Sequence, residues 1–553
     1  MKKRVTSSGA KQKKSQDSVA LLLLKEAYAI IVKIYLLSIF VVMPLYIYDH
    51  YYEMALSKWK VYLFTTLGFG GIVFVGSIIY LLSARKKQRP DIKERSVVKR
   101  FDIIYIIAIL YAISVVMGML CGGYAKAAWL GTDSWYMGVL AQLLFVGTFL
   151  LFACFGAPEK GVIWLNLAAS FICYIIGIAQ RYGWDFLHLY YGMEPEVIRD
   201  YLSTIGNRTW YSGYISVVFP IGVYLFWRGG TGKVKWLTGL YTFFAFSAIV
   251  TNNSDSIYLA LMAVIFGLFV MSLGNIKKLY RWICILVIWF AACCTMSVMR
   301  VMFPSNIRQL RGLSKLCLDM RFAIAGTVIT LIVLIGLWYL IERKGFVKEL
   351  TLSKIKKMQV QCVVCALFVL CMLIAFVIAN STGLIEKLFG FTVNNHYLLF
   401  SDSWGDDRGF NWKFTLHMFG ELEPLQKLFG VGSDCYALHA YSNPGYVEEL
   451  LVYFGQYMVA NSHNEWLNSL LCNGLIGSVL YLGLFISVMI KCFINSDSGH
   501  MHPFAPMIGL CVLGYITHNM FCYQQICATG PIFILMGIAM HSMRTGGKGN
   551  YGL

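Results

Sequence analysis

Long apolar runs alternate with short polar segments along nearly the whole chain. A run of about 20 apolar residues is long enough for an α-helix to cross the hydrocarbon core of a bilayer. The pattern therefore predicts an all-α polytopic membrane bundle with about 12–14 transmembrane helices. The runs are 29–48, 61–83, 103–120, 135–154, 162–180, 211–227, 236–250, 257–273, 282–303, 322–341, 360–378, 466–490, 503–521 and 530–540.

The spacing of these runs also predicts how the chain is organised. A basic tail (1–28) precedes the first eleven helices (29–380), and the last three helices and a short C-terminal segment occupy 465–553. Between them lies a segment of about eighty residues, 381–464, which we call the large loop. It is far longer than a connection needs to be, and it contains amphipathic stretches. We therefore expect it to be folded and partly helical.

The composition agrees with a membrane protein. Hydrophobic residues make up 58% of the chain and charged residues only 14%, whereas a soluble domain carries roughly 25% charged residues. The net charge of +19 does not indicate a nucleic-acid partner, because the positive charges cluster in short segments between apolar runs. This is the pattern in which Lys- and Arg-rich connections stay in the cytoplasm. These basic segments are 1–25, 85–100, 228–235, 277–281, 343–357 and Lys491.

The basic segments occupy alternate connections, so one topology satisfies all of them. Both termini are then expected in the cytoplasm, and the large loop is expected on the external face of the membrane. The connection 300–321 is an exception, because it is basic and yet would lie outside. Either a span is miscounted there, or its arginines serve an anionic ligand.

The large loop ends in a polar cluster where the chain re-enters the membrane. His463 is followed directly by Asn464 and Glu465, at the start of the next predicted helix. One interpretation is that these side chains cap and anchor the helix, because polar side chains accept hydrogen bonds from its unpaired backbone N–H groups. The other interpretation is catalytic, since a neutral imidazole at a membrane–water boundary can take a proton from a hydroxyl group.

Arginines in two predicted external segments are candidates for binding an anion. In the large loop, the guanidinium of Arg408 can bind a phosphate or carboxylate through paired hydrogen bonds. Its alternative partner is the adjacent Asp406 or Asp407, in a surface ion pair.

The second such segment, 181–208, precedes another predicted helix. Arg199 and Arg208 flank a Gly-Asn turn that includes Asn207. Helix N-termini favour anions, and a lipid diphosphate is the anion expected at this depth. The alternative is that either arginine only extends its charge to the membrane interface.

Taken in order, these motifs resemble the O-antigen ligase and O-antigen polymerase family. One resembling motif is Ser-His-Asn at His463, followed by Glu-Trp-Leu and a Gly-x-x-Gly. A second is the segment from Arg408 to Trp412, which leads to Phe-Gly-Val-Gly-Ser. A third is the Ser203-Thr-Ile-Gly-Asn turn before a helix. The similarity covers about 199–478, and the order of the motifs carries it more than any single one.

The resemblance implies an integral-membrane glycosyltransferase of the GT-C type that inverts the anomeric carbon and needs no metal or other cofactor. Such enzymes take a glycan from an undecaprenyl-diphosphate carrier outside the bacterial cytoplasmic membrane. They pass it to a hydroxyl group of a saccharide or of a lipid-anchored acceptor, as polymerases or ligases of O-antigen, capsule or other cell-surface polysaccharide. Proteins of a polysaccharide export or assembly complex are further expected partners.

The resemblance also implies roles for particular residues. His463 matches the family's histidine, proposed as the general base. Arg199 best matches the first diphosphate-binding arginine, ahead of Arg208, and Arg408 matches an arginine of the large loop. The supporting residues are Asn207, Trp412, Asn464 and Glu465.

One position departs from the family pattern. The family often has Ser-Arg at the outer end of a middle helix, where this chain has Thr251-Asn-Asn-Ser-Asp. The carboxylate of Asp255 would repel a diphosphate. Either the phosphate site is rebuilt from Arg208, Arg300 or Arg408, or the chemistry differs.

Three other kinds of membrane protein compete with this interpretation. A different GT-C enzyme would use lipid-phosphate monosaccharides and paired carboxylates in the first external loop, for which Asp49 and Glu53 are candidates. A polysaccharide flippase or other transporter would keep charged groups at mid-membrane depth and is often built from duplicated halves. The apolar runs hold few charges, with Lys33 the main exception, and no internal repeat is found. A signalling or scaffold protein is the third alternative.

Overall fold

The computed structural model describes residues 26–85, 102–230, 232–304, 310, 312–345, 350–494 and 504–545. The predicted basic tail lies almost wholly outside the described residues, as do most of the basic segment 85–100 and part of 343–357.

Each of the fourteen apolar runs overlaps a helix, which confirms the predicted all-α polytopic bundle. Within the described part of the chain, ten of these helices are long and apolar enough to cross a membrane, three are shorter apolar helices, and the remaining one is Arg208–Arg228. The fourteen helices, in chain order, are α1 (Glu26–Leu45), α2 (Met54–Arg85), α3 (Ile103–Cys121), α4 (Val139–Phe155), α5 (Glu159–Arg181), α6 (Arg208–Arg228), α7 (Gly232–Asn252), α8 (Ser256–Ser272), α9 (Ile276–Met302), α10 (Met320–Glu342), α11 (Leu352–Ser381), α12 (Glu465–Ile494), α13 (Phe504–His518) and α14 (Ile526–Thr545).

Shorter elements lie in the connections. Two strands of two residues each, Tyr201–Leu202 and Gly206–Asn207, form an antiparallel hairpin directly before α6. Short π-helical segments interrupt α1 at Ser38–Val42 and α2 at Thr66–Gly70, and α2 continues through Gly71–Arg85. The other short helices are Ala125–Leu130, Pro195–Ile198, Gly312–Cys317, Leu384–Phe389, Trp404–Glu421, Pro424–Phe429, Tyr436–Ser442 and Pro444–Phe454.

The helices differ sharply in how much of their surface is buried by protein. In α14, 89% of the most apolar stretch is buried, so this helix lies at the centre of the bundle. The corresponding share is 6% in α10 and 0% in α11, which places these two helices at the periphery. A helix that is apolar on all sides and uncovered by protein is suited to contact lipid.

The large loop is folded, and its prediction as a partly helical segment is confirmed. Its helices form a small core of their own with Leu471 and Cys472 of α12. The backbone of α12 kinks at Gly474, which has φ of +67°. A side chain there would collide with the loop backbone, because its Cβ would lie 2.4 Å from Leu428 C. Glycine therefore lets the large loop dock directly on the start of α12.

Candidate functional site

A pocket of about 450 Å³ opens at the end of the bundle where α6 and α12 begin, which we call the site end. Its volume falls within the range of roughly 300–1,000 Å³ that is usual for ligand sites. The walls come from the loop after α1, the hairpin before α6 and the large loop. Eight of its lining residues are aromatic: Tyr51, Tyr52, Trp135, Tyr201, Trp210, Phe454, Tyr457 and Tyr523.

The side chain of His463 lines this pocket. Its backbone has φ of +51°, an uncommon conformation for a residue with a side chain. The backbone N–H donates to Asn461 Oδ1 at 2.9 Å. The imidazole lies edge-on to Tyr523, with ring centroids 5.3 Å apart. Burial, and then the positive charge of Arg408, lower the pKa of His463 to about 3, so the ring is neutral at physiological pH.

The two residues after His463 hold it in place. Asn464 caps α12, since its Oδ1 accepts hydrogen bonds from Trp466 N at 3.0 Å and Leu467 N at 3.2 Å. Glu465 is buried, and its carboxylate accepts hydrogen bonds from the hydroxyl of Tyr481 at 2.5 Å and from that of Tyr515 at 2.9 Å. The capping interpretation therefore describes Asn464, and Glu465 anchors the start of α12, whereas His463 lines the pocket.

Arg408 follows an unusual turn of the backbone. Gly405, Asp406 and Asp407 all have left-handed helical φ and ψ, which costs energy in residues other than glycine. Arg408 donates from Nε to Phe521 O at 3.1 Å and from Nη1 to Gly405 O. Within the described ranges, no ion pair joins it to Asp406 or Asp407.

Trp412, one turn further along the same helix, lies away from the pocket in an aromatic cluster. Its ring centroid is 5.3 Å from that of Trp404 and 5.5 Å from that of Phe521. These contacts fix the helix Trp404–Glu421 against the connection between α13 and α14. Trp412 thus holds in place the helix that carries Arg408.

The two arginines before α6 occupy different environments. Arg208, the first residue of α6, pairs with Asp200 at 3.2 Å and donates to Asn253 O at 3.4 Å. Asn207 caps the helix by accepting from Thr209 N at 2.8 Å, and it also lines the pocket. The side chain of Arg199 is 59% exposed and lies 3.9 Å from Asp200. Arg208 is therefore the arginine that reaches the turn between α7 and α8.

That turn contains Asp255, the residue that departs from the family pattern. Its Oδ1 accepts a hydrogen bond from Leu313 N at 2.9 Å. Burial raises the pKa of Asp255, while this hydrogen bond and the charges of Arg408 and Arg208 oppose the rise. Asp255 thus lies near both arginines but fastens the connection between α9 and α10. This contact places that connection at the site end, as the predicted topology requires.

The structure brings only some of the predicted site residues to the pocket. Of them, only His463 and Asn207 are among the residues that line the pocket. Arg408 acts on His463 from beside the pocket, and it acts together with Arg208 on Asp255. The pocket itself carries Asp406 and Asp407. His463 thus lines a pocket whose charged groups are carboxylates, and the charge of Arg408 also acts on it.

The sequence analysis missed one functional candidate, His518. This side chain is 1% exposed at the end of α13. Its Nε2 lies 2.9 Å from Ser212 Oγ on α6 and 3.2 Å from Ser256 Oγ on α8, and its Nδ1 lies 2.6 Å from Asn519 Oδ1. His518 thus links the end of α13 to α6 and α8. The signal for it was a second His-Asn pair, 518–519, in the sequence.

Asn519 links this cluster to the His463 region. Its backbone oxygen accepts from Glu465 N at 2.9 Å, and its side-chain amide donates to the Glu465 carboxylate. The end of α13 and the start of α12 are therefore tied together at the residue that follows Asn464.

Backbone strain is concentrated at the site. Ten residues other than glycine have positive φ in the described ranges. Ser134, Asp406, Asp407 and His463 line the pocket, and Asp434 lines a smaller polar cavity that shares Trp135, Asn461 and Tyr523 with it. Strained residues persist where the surrounding structure holds a functional geometry. Half of them lie in these two cavities, which supports this end of the bundle as the functional site.

The chain matches no protein-family model and no curated protein. The resemblance to O-antigen ligases and polymerases therefore rests on the sequence motifs, and the roles of the site residues rest on their geometry.

Proposed function

We propose that this protein is a membrane glycosyltransferase that moves a glycan from a polyprenyl-diphosphate carrier, of the undecaprenyl class, to a hydroxyl group of a saccharide or lipid-anchored acceptor. The observation that carries the proposal is the position of His463, a neutral imidazole between Arg408 and a pocket of ligand size. The folded large loop that holds these groups over the site end fits catalysis better than a simple connection would.

The basic region suits the donor diphosphate. A guanidinium has five N–H donors, and Arg408 gives two of its own to backbone oxygens. The rest remain for phosphate oxygens, beside Arg208 at the N-terminus of α6. Positive charge and the partial charge of a helix N-terminus both stabilise an anion whose charge grows as the bond breaks.

His463 supplies the proton acceptor. The acceptor hydroxyl oxygen attacks the anomeric carbon, and the bond from that carbon to the diphosphate oxygen breaks with its electron pair. The proton of the hydroxyl passes to the imidazole nitrogen, and a bound donor diphosphate would offset the charge of Arg408, which otherwise lowers the basicity of the ring. Attack opposite the leaving group inverts the anomeric carbon. A diphosphate leaves without protonation, so this scheme needs no general acid.

The proposed location is a bacterial cytoplasmic membrane, with both termini inside and the active site on the external face. The support is the alternation of basic connections along the chain. In this arrangement the large loop, Arg408 and His463 all face outward, where lipid-linked glycans are assembled into surface polysaccharide.

The test uses purified full-length protein in nanodiscs, with a polyprenyl-diphosphate oligosaccharide as donor. We expect a longer glycan with an inverted linkage, and we expect loss of product with His463→Ala. Full transfer by folded His463→Ala would overturn the assignment of the base. Activity only with a polyprenyl-monophosphate sugar, lost on Asp49→Asn but not on His463→Ala, would favour the other class of GT-C enzyme. Movement of the intact lipid-linked glycan across vesicles without a new linkage would indicate a flippase.

A further inference from the structure

The pocket beside His463 contains a buried polar atom that the surrounding protein does not satisfy. Asn411 is 5% exposed and lines the pocket. Its Oδ1 has no hydrogen-bond partner in the described part of the chain. Leaving such a group unpaired costs about 1–3 kcal/mol, so a buried unpaired amide at a pocket wall indicates a ligand group that pairs with it.

The charges of the pocket exclude a second diphosphate. The carboxylates of Asp406 and Asp407 are among its lining groups, and no arginine or lysine is among the described residues that line it. Asp407 accepts a hydrogen bond from the Tyr453 hydroxyl at 3.0 Å. The side-chain carboxylate of Asp406 has neither a hydrogen bond nor an ion pair with any described residue. Like charges repel, so the ligand of this pocket is not an anion, and it donates hydrogen bonds to these acceptors.

The groups around Asn411 suit hydroxyls better than any other neutral donor. A carboxylate only accepts hydrogen bonds, whereas an amide both accepts and donates. A hydroxyl can also do both, so a pair of adjacent hydroxyls can satisfy Asp406 and Asn411 together. The flat aromatic side chains of Trp210 and Tyr523 on the walls match the apolar face of a sugar ring.

We infer that this pocket is the subsite for a neutral acceptor saccharide, and that Asn411 and Asp406 hold hydroxyls of the sugar ring whose reacting hydroxyl faces His463. This inference rests on the proposed function, because it names the acceptor of that reaction. Asp406 and Asp407 line the pocket, and Arg408 follows them directly in the chain. The acceptor is thus assigned to the acidic pocket, and the donor diphosphate to the guanidiniums of Arg408 and Arg208.

The first experiment measures binding alone. Wild-type protein in nanodiscs is titrated with a neutral oligosaccharide and with one of equal length that ends in a uronic acid, and the dissociation constants are measured by saturation-transfer NMR. We expect the neutral glycan to bind at least about 10-fold more tightly. Asn411→Leu, which keeps the volume of the side chain but removes its hydrogen bonds, is expected to weaken binding of the neutral glycan about 10- to 100-fold. The matched control is Asn394→Leu, an exposed asparagine of the same loop, which is expected to change nothing.

Asp406→Asn is the second variant, and it keeps the test decisive if Asn411→Leu does not fold. It removes the carboxylate that repels acidic sugars, so the preference for the neutral glycan is expected to shrink. Unchanged binding of the neutral glycan in a folded Asn411→Leu variant, or an unchanged preference for it in a folded Asp406→Asn variant, would overturn the subsite, and it would mean that only solvent meets these groups.

A second experiment separates this inference from the proposed function. In the transfer assay, Asn411→Leu is expected to raise the KM for the acceptor about 10- to 100-fold while the KM for the lipid-diphosphate donor stays unchanged. Transfer by the wild type with an unaltered acceptor KM in Asn411→Leu would remove the subsite and leave the function standing. Saccharide binding that depends on Asn411, without transfer from any lipid-diphosphate donor, would remove the function and leave the subsite standing.

Discussion

The same dipeptide, His-Asn, occurs at two places that meet in the fold and serve different purposes. His463-Asn464 begins α12, and the imidazole faces a pocket with no hydrogen bond to its ring from any described residue. His518-Asn519 ends α13, and its imidazole is enclosed by two serine hydroxyls and the neighbouring amide. A histidine whose polar atoms are all engaged is a structural link. One that keeps them free beside a pocket is available for chemistry.

The comparison also shows how one region supports the other. Glu465 and Asn519 connect the two pairs, and Arg408 donates to Phe521, three residues after His518. The His518-Asn519 pair therefore fixes the helix ends on which the His463-Asn464 pair and the large loop depend. Substitutions in the two regions should differ in whether they remove turnover or stability.

The largest expected effect is on turnover at His463. Glutamine has a similar size and polarity but cannot act as a base, so His463→Gln is expected to lower kcat about 100- to 10,000-fold. The melting temperature should change little, because the protein residues described make no hydrogen bond to the ring. A transfer assay and thermal unfolding of the same nanodisc sample measure both effects. A large loss of stability with retained kcat would show that His463 has a structural role, as is expected of His518.

The opposite outcome is expected at His518. His518→Ala removes the hydrogen bonds of the imidazole to Ser212 and Ser256, each worth about 0.5–1.5 kcal/mol. Ser212 keeps its bond to Thr209 O, and Ser256 keeps its contact with Ser254 Oγ. We expect a lower melting temperature and a proportionate loss of folded enzyme, with kcat of the folded fraction nearly retained. His518→Gln, which can rebuild one of these hydrogen bonds, should recover part of the stability. A loss of kcat without a loss of stability would place His518 in the reaction itself.

The pH dependence of stability tests the environment of His463. Burial and the charge of Arg408 lower the pKa of His463 to about 3 in the folded protein, against about 6.5 when unfolded. Between these values the unfolded state binds the proton and the folded state does not. Lowering the pH from about 6.5 to 3 should therefore lower the free energy of unfolding, by up to about 1.4 kcal/mol per pH unit. His463→Gln should flatten this slope in thermal unfolding measured between pH 7 and pH 4, and an unaltered slope would contradict the lowered pKa.

The arginines test the basic side of the comparison. Arg408→Lys keeps the charge but loses the planar fork, so the KM for the lipid-diphosphate donor is expected to rise about 10-fold. Arg199→Gln should change it less than about 2-fold, because an exposed charge is screened by solvent. Steady-state kinetics with varied donor measure both variants. The reverse order of effects would restore Arg199 as the diphosphate ligand that the family resemblance suggests.

The sequence predicts the helices far better than it predicts the contacts between them. Hydropathy is a property of consecutive residues, and each of the fourteen apolar runs overlaps a helix. The partners of the site residues are remote in sequence. Leu313 lies 58 residues from Asp255, and Ser212 lies 306 residues from His518. No local pattern encodes such pairs, so the buried cluster at His518 escaped notice.

Local geometry also limited the sequence analysis at Arg408. An ion pair with a neighbouring aspartate was a reasonable alternative because the residues are adjacent in sequence. The left-handed backbone at Asp406 and Asp407 instead directs these carboxylates to the pocket. Such a conformation is unfavourable for residues with side chains, and it is held here by the fold around it. Sequence alone therefore could not separate the acidic pocket from the basic region.

The smallest effect on stability is expected at Asn464. It tests whether this residue only caps α12 or also takes part in the reaction. Its side chain caps α12 through Trp466 N and Leu467 N, and loss of such a cap costs about 1 kcal/mol. Asn464→Ala should therefore lower the melting temperature modestly, whereas Asn464→Ser, which caps nearly as well, should not. Because the cap positions His463 without touching the substrate, we expect kcat to survive in Asn464→Ser. If kcat collapses in that variant while the helix stays stable, then Asn464 contacts the reacting groups, and the first His-Asn pair acts as a unit.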